Sequence, residues 1–228
     1  MADCRRGIAL CRLPKSTGAN SKSSERPDYP VLLLASQADW QQWLDTHHAE
    51  APGVWLRLAK KAASYFTVTY AEALDVALCY GWIDGQLKRF DDQSYLLKFT
   101  PRGARSIWSK INVGHVERLI ASGAMRPAGL AAVAKAKADG RWDRAYSSSS
   151  KSAVPDDLQQ ALNANARARE AFEGLKRDNR YAILFRVETA VKPETRARRI
   201  AELVAMLARG ETIHPVKGDR AQRASLPS

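Results

Sequence analysis

The chain has 228 residues, 45% of them hydrophobic, and a formal net charge of +12. That size accommodates one hydrophobic core or two, and the composition is ordinary for a soluble globular protein. Apolar runs such as Val31 to Ala35 fall far short of the roughly 18 residues of a bilayer-spanning helix, which argues against a transmembrane chain.

The positive excess is spread along the sequence, +3 over residues 1–30, +4 over 31–150 and +5 over 151–228. It permits weak attraction to nucleic acid, acidic proteins or anionic lipid and singles out none of them. Three cysteines, Cys4, Cys11 and Cys79, are too few for a disulfide framework and suit a reducing cytoplasm, the expected location. Residues 1–28 lack periodicity and read as a disordered tail. Arg5, Arg6, Arg12 and Lys15 give that tail some likeness to a transit peptide, interrupted by Asp3 and Glu25.

Val31 to Leu34 reads as a buried strand. Ser36 is a good N-cap for a helix carrying Ala38, Trp40, Trp43 and Leu44 at helical spacing, closed by Pro52-Gly53. Val54 to Lys60 alternates as a half-exposed strand. Thr69 with Glu72 forms a capping box before the apolar stripe Ala73, Leu74, Ala77 and Leu78, and Gly81 is the natural residue to end that helix. Trp82 to Phe90 and Ser94 to Phe99 then form a hairpin around Asp91-Asp92. After Thr100 the pattern is helical. Helices are expected at 109–122, 127–138, from Pro155, at 166–175, at 178–191 and from Pro193 to Gly210. The reading is an α+β fold: a βαβαββ unit with a mixed sheet over residues 29–146, a serine linker at 147–154, a helical domain at 155–214 and a flexible tail at 215–228.

The densest mixture of aromatic, acidic and basic residues lies between Gly81 and Asn112. Strand alternation puts Trp82, Asp84, Gln86 and Lys88 on one face. Arg102, Arg105, Trp108, Ser109 and Asn112 follow on a loop and a helix start, where backbone N–H groups and arginines suit an anion. These eight residues (Trp82, Asp84, Lys88, Arg102, Arg105, Trp108, Ser109 and Asn112) are the candidate ligand site. A purely structural reading stands beside it: Asp84 pairs with Lys88 or Arg102, Trp82 and Trp108 fill the core, and Ser109 caps its helix. His47, His48, His115 and His214 share no metal-binding spacing, so neither a metal nor a cofactor is expected. Nucleophile-elbow, phosphate-loop and dinucleotide fingerprints are missing, and no catalytic residue is assigned. Arg196, Arg198 and Arg199 on the last helix offer a nucleic-acid reading, diluted by Glu194 and Glu202.

The words GWIDGQ, FTPR, WSKIN, MRPAGL, AKADGRW and KPETRARRI occur in this order. By them the chain resembles the YdeI/OmpD-associated family, also called bacteriocin-protection proteins, over Val31 to Pro215, with residues 155–210 like the domain that defines the family. The resemblance implies resistance to bacteriocins or cationic antimicrobial peptides and a link to an outer-membrane porin. It brings no established reaction and no catalytic set. The function expected is therefore non-catalytic stress or peptide resistance through an unknown partner. The alternatives are a small-anion-binding protein or enzyme using the Trp82–Asn112 region, or a nucleic-acid-binding protein.

Overall fold

The structure is a computed structural model that describes residues 29–215. The expected tails at 1–28 and 215–228, Pro215 excepted, lie outside the described residues, as do Cys4 and Cys11. The fold is α+β. Its order is β1 (Val31–Leu32), α1 (Gln37–His47), β2 (Val54–Ala59), α2 (Tyr70–Cys79), β3 (Trp82–Arg89), β4 (Ser94–Pro101), α3 (Lys110–Ala121), α4 (Pro127–Ala138), α5 (Asp156–Asn163), α6 (Ala166–Glu173), α7 (Arg177–Glu188) and α8 (Pro193–Ala208). The strands form one sheet in the order β1-β2-β4-β3, with β1 parallel to β2 and the other pairs antiparallel. The chain divides into two compact units. One comprises residues up to 106 with 112–143, the other 107–111 with the residues from 144 onward.

Local chemistry sets the helix starts in the first unit. The Ser36 hydroxyl accepts from the Asp39 N–H while the Asp39 carboxylate accepts from the Ser36 N–H, and Thr69 and Glu72 repeat the device at α2. Gly81 follows α2 at φ +73°, a left-handed conformation that glycine adopts without strain. One sheet face, carrying Val54, Leu56, Leu58, Leu97 and Phe99, packs beneath these helices as the core. Trp40 is its centre. Its ring stacks on Trp43 at 5.3 Å, meets Trp82 edge-on at 6.3 Å and lies 5.7 Å from Phe99. Both deeply buried indoles here are satisfied, because Trp40 Nε1 donates to Ala73 O and Trp82 Nε1 to His48 O.

The β3–β4 turn is also built, not merely solvated. Asp91 accepts from the Ser94 N–H at 2.6 Å, from its hydroxyl at 2.7 Å and from Arg57 Nη2 at 2.6 Å. Arg57 Nε donates to the fully buried Ser94 hydroxyl at 2.9 Å. Its guanidinium lies 4.5 Å from the Phe90 ring centroid and 5.6 Å from that of Tyr65. A cation from β2 thus clamps the hairpin turn. The Ser94 hydroxyl, then the Gln93 and Ser94 N–H groups and the Arg57 charge, hold the Asp91 carboxyl below its ordinary range.

Helix α4 reaches the end of α2 through a glycine. A Cβ placed on Gly129 would stand 2.2 Å from the Cys79 carbonyl oxygen, so only hydrogen fits there. The Arg126 N–H donates to that same carbonyl at 3.1 Å, satisfying an acceptor that the end of α2 leaves open.

The second unit has its own core, in which Leu158, Leu162, Phe172, Ile183, Val187 and Leu203 are among the buried side chains. Arg196 on α8 binds Asp157 on α5 through Nε at 2.5 Å and Nη2 at 2.9 Å, and its Nη1 donates to Val187 O. That fork ties three helices together, and the Arg196 hydrogen bond depresses the Asp157 pKa. Ser147, expected in a linker, is buried, and both its N–H and its hydroxyl donate to Glu188 at 3.0 Å.

Replacing Gly129 by Ala is expected to cost at least the ~1–3 kcal/mol typical of overpacking, since the clashing atom is backbone. Gly114→Ala on α3, where the added carbon meets nothing within 4 Å, should instead stabilise by about 0.5–1 kcal/mol. Paired denaturant melts of the two variants check this contrast. Asp91 and Asp157 are both depressed, so the stability they supply is complete above the ordinary carboxylate pKa of ~3.9 and is lost as pH falls through their lower folded-state values. Asp157→Asn should therefore unfold with a shallower dependence on pH below about 5, at a neutral-pH cost near the ~1 kcal/mol of a partly exposed pair. Urea midpoints measured from pH 7 down to 3 test the slope.

Candidate functional site

A β-bulge separates two of the residues expected in the ligand site, Asp84 and Lys88. Trp82 pairs with Pro101 and Asp84 with Phe99, but Leu87 pairs with Leu97 and Lys88 with Leu96. Gly85 and Gln86 together oppose one residue of β4, which inverts the alternation beyond them. Trp82 and Asp84 therefore share the core-side face with Leu87. Lys88 lies on the opposite face, against the expectation from simple alternation.

Trp82 is 1% exposed and belongs to the tryptophan core. Asp84 is half-buried and accepts from the Tyr70 hydroxyl at 3.1 Å. Arg102 donates its backbone N–H to Gly81 O, and its Nε and Nη2 atoms are buried. Arg105 is exposed and Asn112 half-buried. Trp108 and Ser109 are buried and belong to the second unit. They run beside Tyr146, whose N–H donates to Trp108 O while the Lys110 N–H donates to Tyr146 O, both at 2.9 Å. The structure thus brings Trp82 and Asp84 together on one strand face and places Lys88 apart from them.

Other polar clusters were not legible in the sequence. Asp75 on α2 accepts from Arg118 at 2.6 Å and lies 2.8 Å from His115 Nδ1, both on α3. Tyr80 donates its hydroxyl to Asp45 and accepts from Arg126 Nε at 3.3 Å. Burial first, then the Asp45 hydrogen bond, pushes the Tyr80 pKa up. Burial likewise raises the Cys79 thiol, which keeps it protonated and unreactive at neutral pH. Among the described residues no group of three or more His, Cys, Asp or Glu side chains is placed to hold a metal ion, and no helix is long and apolar enough to cross a membrane.

Two clefts of the helical unit are lined by arginine side chains. One, of about 440 Å³, runs between α7 and α8 and is lined by Phe185, Arg186, Thr189, Arg199, Leu203 and Met206, with Glu202 at its side. The other, of about 310 Å³, is lined by Lys110, Lys151, Arg196, Ser147 and Glu188 with the apolar Val154 and Leu184. The only hint of the first in the sequence is the cationic flank of α8. The polar groups of the second come from four separate stretches of chain.

On the other sheet face, Lys88 Nζ sits 4.3 Å from the Trp55 ring centroid and Lys98 Nζ sits 5.7 Å from that of Tyr29. Trp55 joins Val31 and Leu96 in a small cluster flanked by Tyr29 and Phe90. The signal for this face was the alternation of Trp55 and Arg57 along β2, which reads from sequence only as a half-exposed strand.

Comparison with known proteins gives two separate family matches. Residues 32–132 match a family described as a domain of unknown function, DUF8412. Residues 151–210 match the family described as bacteriocin-protection, YdeI or OmpD-associated, so the resemblance expected over Val31 to Pro215 rests on its helical part. No curated protein and no solved structure gives a significant match. The helical unit of this chain, with Leu158, Phe172, Ile183 and Leu203 at its core, is thus the part similar to the YdeI/OmpD-associated bacteriocin-protection family.

Proposed function

We propose that this chain is a non-catalytic protection protein of the bacteriocin-protection type, acting in the cytoplasm through a protein partner held by its helical unit. The observation that supports this reading is the groove between α7 and α8. Its floor is Phe185, Leu203 and Met206, and its rim carries Arg186 and Arg199. Arg199 is steadied there by donating to Arg186 O at 2.7 Å. An apolar floor beside two guanidinium groups suits an acidic amphipathic segment laid along the helices. The unbranched Met206 side chain adapts to the shape of such a segment. Direct capture of a cationic antimicrobial peptide is the poorer match, because a chain of net charge +12 repels it. Protection is then indirect, through stress regulation or an envelope partner.

A second reading, binding of a small anion, draws on the cleft where Lys110, Lys151 and Arg196 surround Ser147 and Glu188. It keeps Lys110 from the Trp82–Asn112 region and joins it to residues of the helical unit.

In cells challenged with a bacteriocin or a cationic peptide, Arg186→Glu with Arg199→Glu should abolish the survival advantage that the unmodified chain confers. The purified variant should stay within about 0.5 kcal/mol of the original stability. Undiminished protection would rule the groove out, and tight direct binding of the cationic peptide would rule out the indirect route. For the anion reading, a thermal-shift series with phosphate and dicarboxylates should find one that stabilises the protein by about 2.7 kcal/mol at 100 times its Kd. Lys151→Ala should remove that stabilisation, and a series in which no anion shifts the melt rejects the reading.

A further inference from the structure

The sheet face opposite the tryptophan core is made of rings capped by cations. Its rows follow from the register: Val31, Trp55 and Lys98 lie side by side across β1, β2 and β4, and Arg57, Leu96 and Lys88 across β2, β4 and β3. Lys88 rests on Trp55, Lys98 on Tyr29, and Arg57 between Phe90 and Tyr65. Lys88 and Lys98 make no ion pair among the described residues, so their charge is held by ring faces and water. The acid on this face, Asp91, is already engaged by Arg57. Next to Tyr65, the ring of Phe66 is 93% exposed, in a loop that begins with Lys60 and Lys61.

We propose that this face binds single-stranded nucleic acid, with bases stacking on the aromatic side chains and phosphates meeting Lys88 and Lys98. Two features select this occupant. Flexible lysine stems lying on rings can swing outward, trading a weak cation–π contact for a base on the ring and a phosphate on the ammonium. A ligand that carries flat rings and negative charge in alternation matches both components at once. A second copy of the chain, at +12, and its own N-terminal stretch, at +3 over residues 1–30, carry the wrong sign. A duplex keeps its base faces inside the stack, where these rings cannot reach them. The bulge at Gly85 and Gln86 is what places Lys88 on this face at all.

The test is fluorescence anisotropy of a labelled oligothymidylate of about 10 nucleotides with the full chain, repeated across a salt series. Binding is expected at low salt, weakening with a log–log slope of about −1.4 for two phosphate contacts. Lys88→Ala and Lys98→Ala should each flatten that slope by about 0.7 and weaken binding several-fold. Phe66→Ala should weaken binding at least about fivefold with the slope unchanged. Arg198→Ala, on an exposed face of the helical unit, should change neither. Four results would overturn the proposal. They are no binding at low salt, equal loss in Arg198→Ala, competition by polyglutamate or inorganic polyphosphate as strong as by unlabelled oligonucleotide, and a duplex of equal length bound as tightly as the single strand.

Discussion

The first unit depends on the contact of Trp40 with Trp82 and Phe99. These rings join helix α1 to β3 and β4, the two C-terminal strands of the sheet, which are distant from it in sequence. Their area makes them the largest apolar contribution to this core, and each buried indole N–H has a carbonyl partner. With Trp82 committed to the core, the strand that begins with it has a fixed inner face, and every later residue of β3 is placed by what happens to the register afterwards.

The bulge at Gly85 and Gln86 is that event. It leaves Asp84 facing Tyr70 on the helix side and turns Lys88 toward Trp55 on the other. One extra residue thus separates an acid and a base that simple alternation would have set in a row. The sheet acquires two unlike surfaces: one closed by helices and apolar, the other a set of rings covered by cationic stems. Arg57 stiffens the second surface by holding Asp91 and Ser94 at the hairpin turn.

The helical unit is organised by a different device. Two of its helices, α5 and α6, run only 8 residues each, and several start without a side-chain cap. The Arg196 fork to Asp157 and Val187 O supplies a directional tie across α5, α7 and α8 that apolar packing alone does not give. With α7 and α8 fixed in that way, Phe185, Leu203 and Met206 line an open groove instead of closing it. The chain therefore carries cationic side chains beside rings or apolar floors in both units: Arg186 and Arg199 at the α7–α8 groove, Lys88 and Lys98 on the sheet.

The sequence by itself determined where elements begin and end, because those signals are local. The Ser36–Asp39 and Thr69–Glu72 boxes, Gly81 after α2, and Pro127 and Pro193 at helix starts act through neighbours three or four residues away. The order βαβαββ followed by helices, and the resemblance of the C-terminal part, came from the same level. Tertiary structure alone decided which face Lys88 occupies, since a bulge exists only relative to a partner strand. It also decided that Trp55 is buried under Lys88, that Asp91 is clamped by a residue 34 positions earlier, and that Gly129 touches Cys79 O. Each of these is a contact between segments far apart in the chain. Their geometry is set by packing of the whole unit, and no local spacing encodes it.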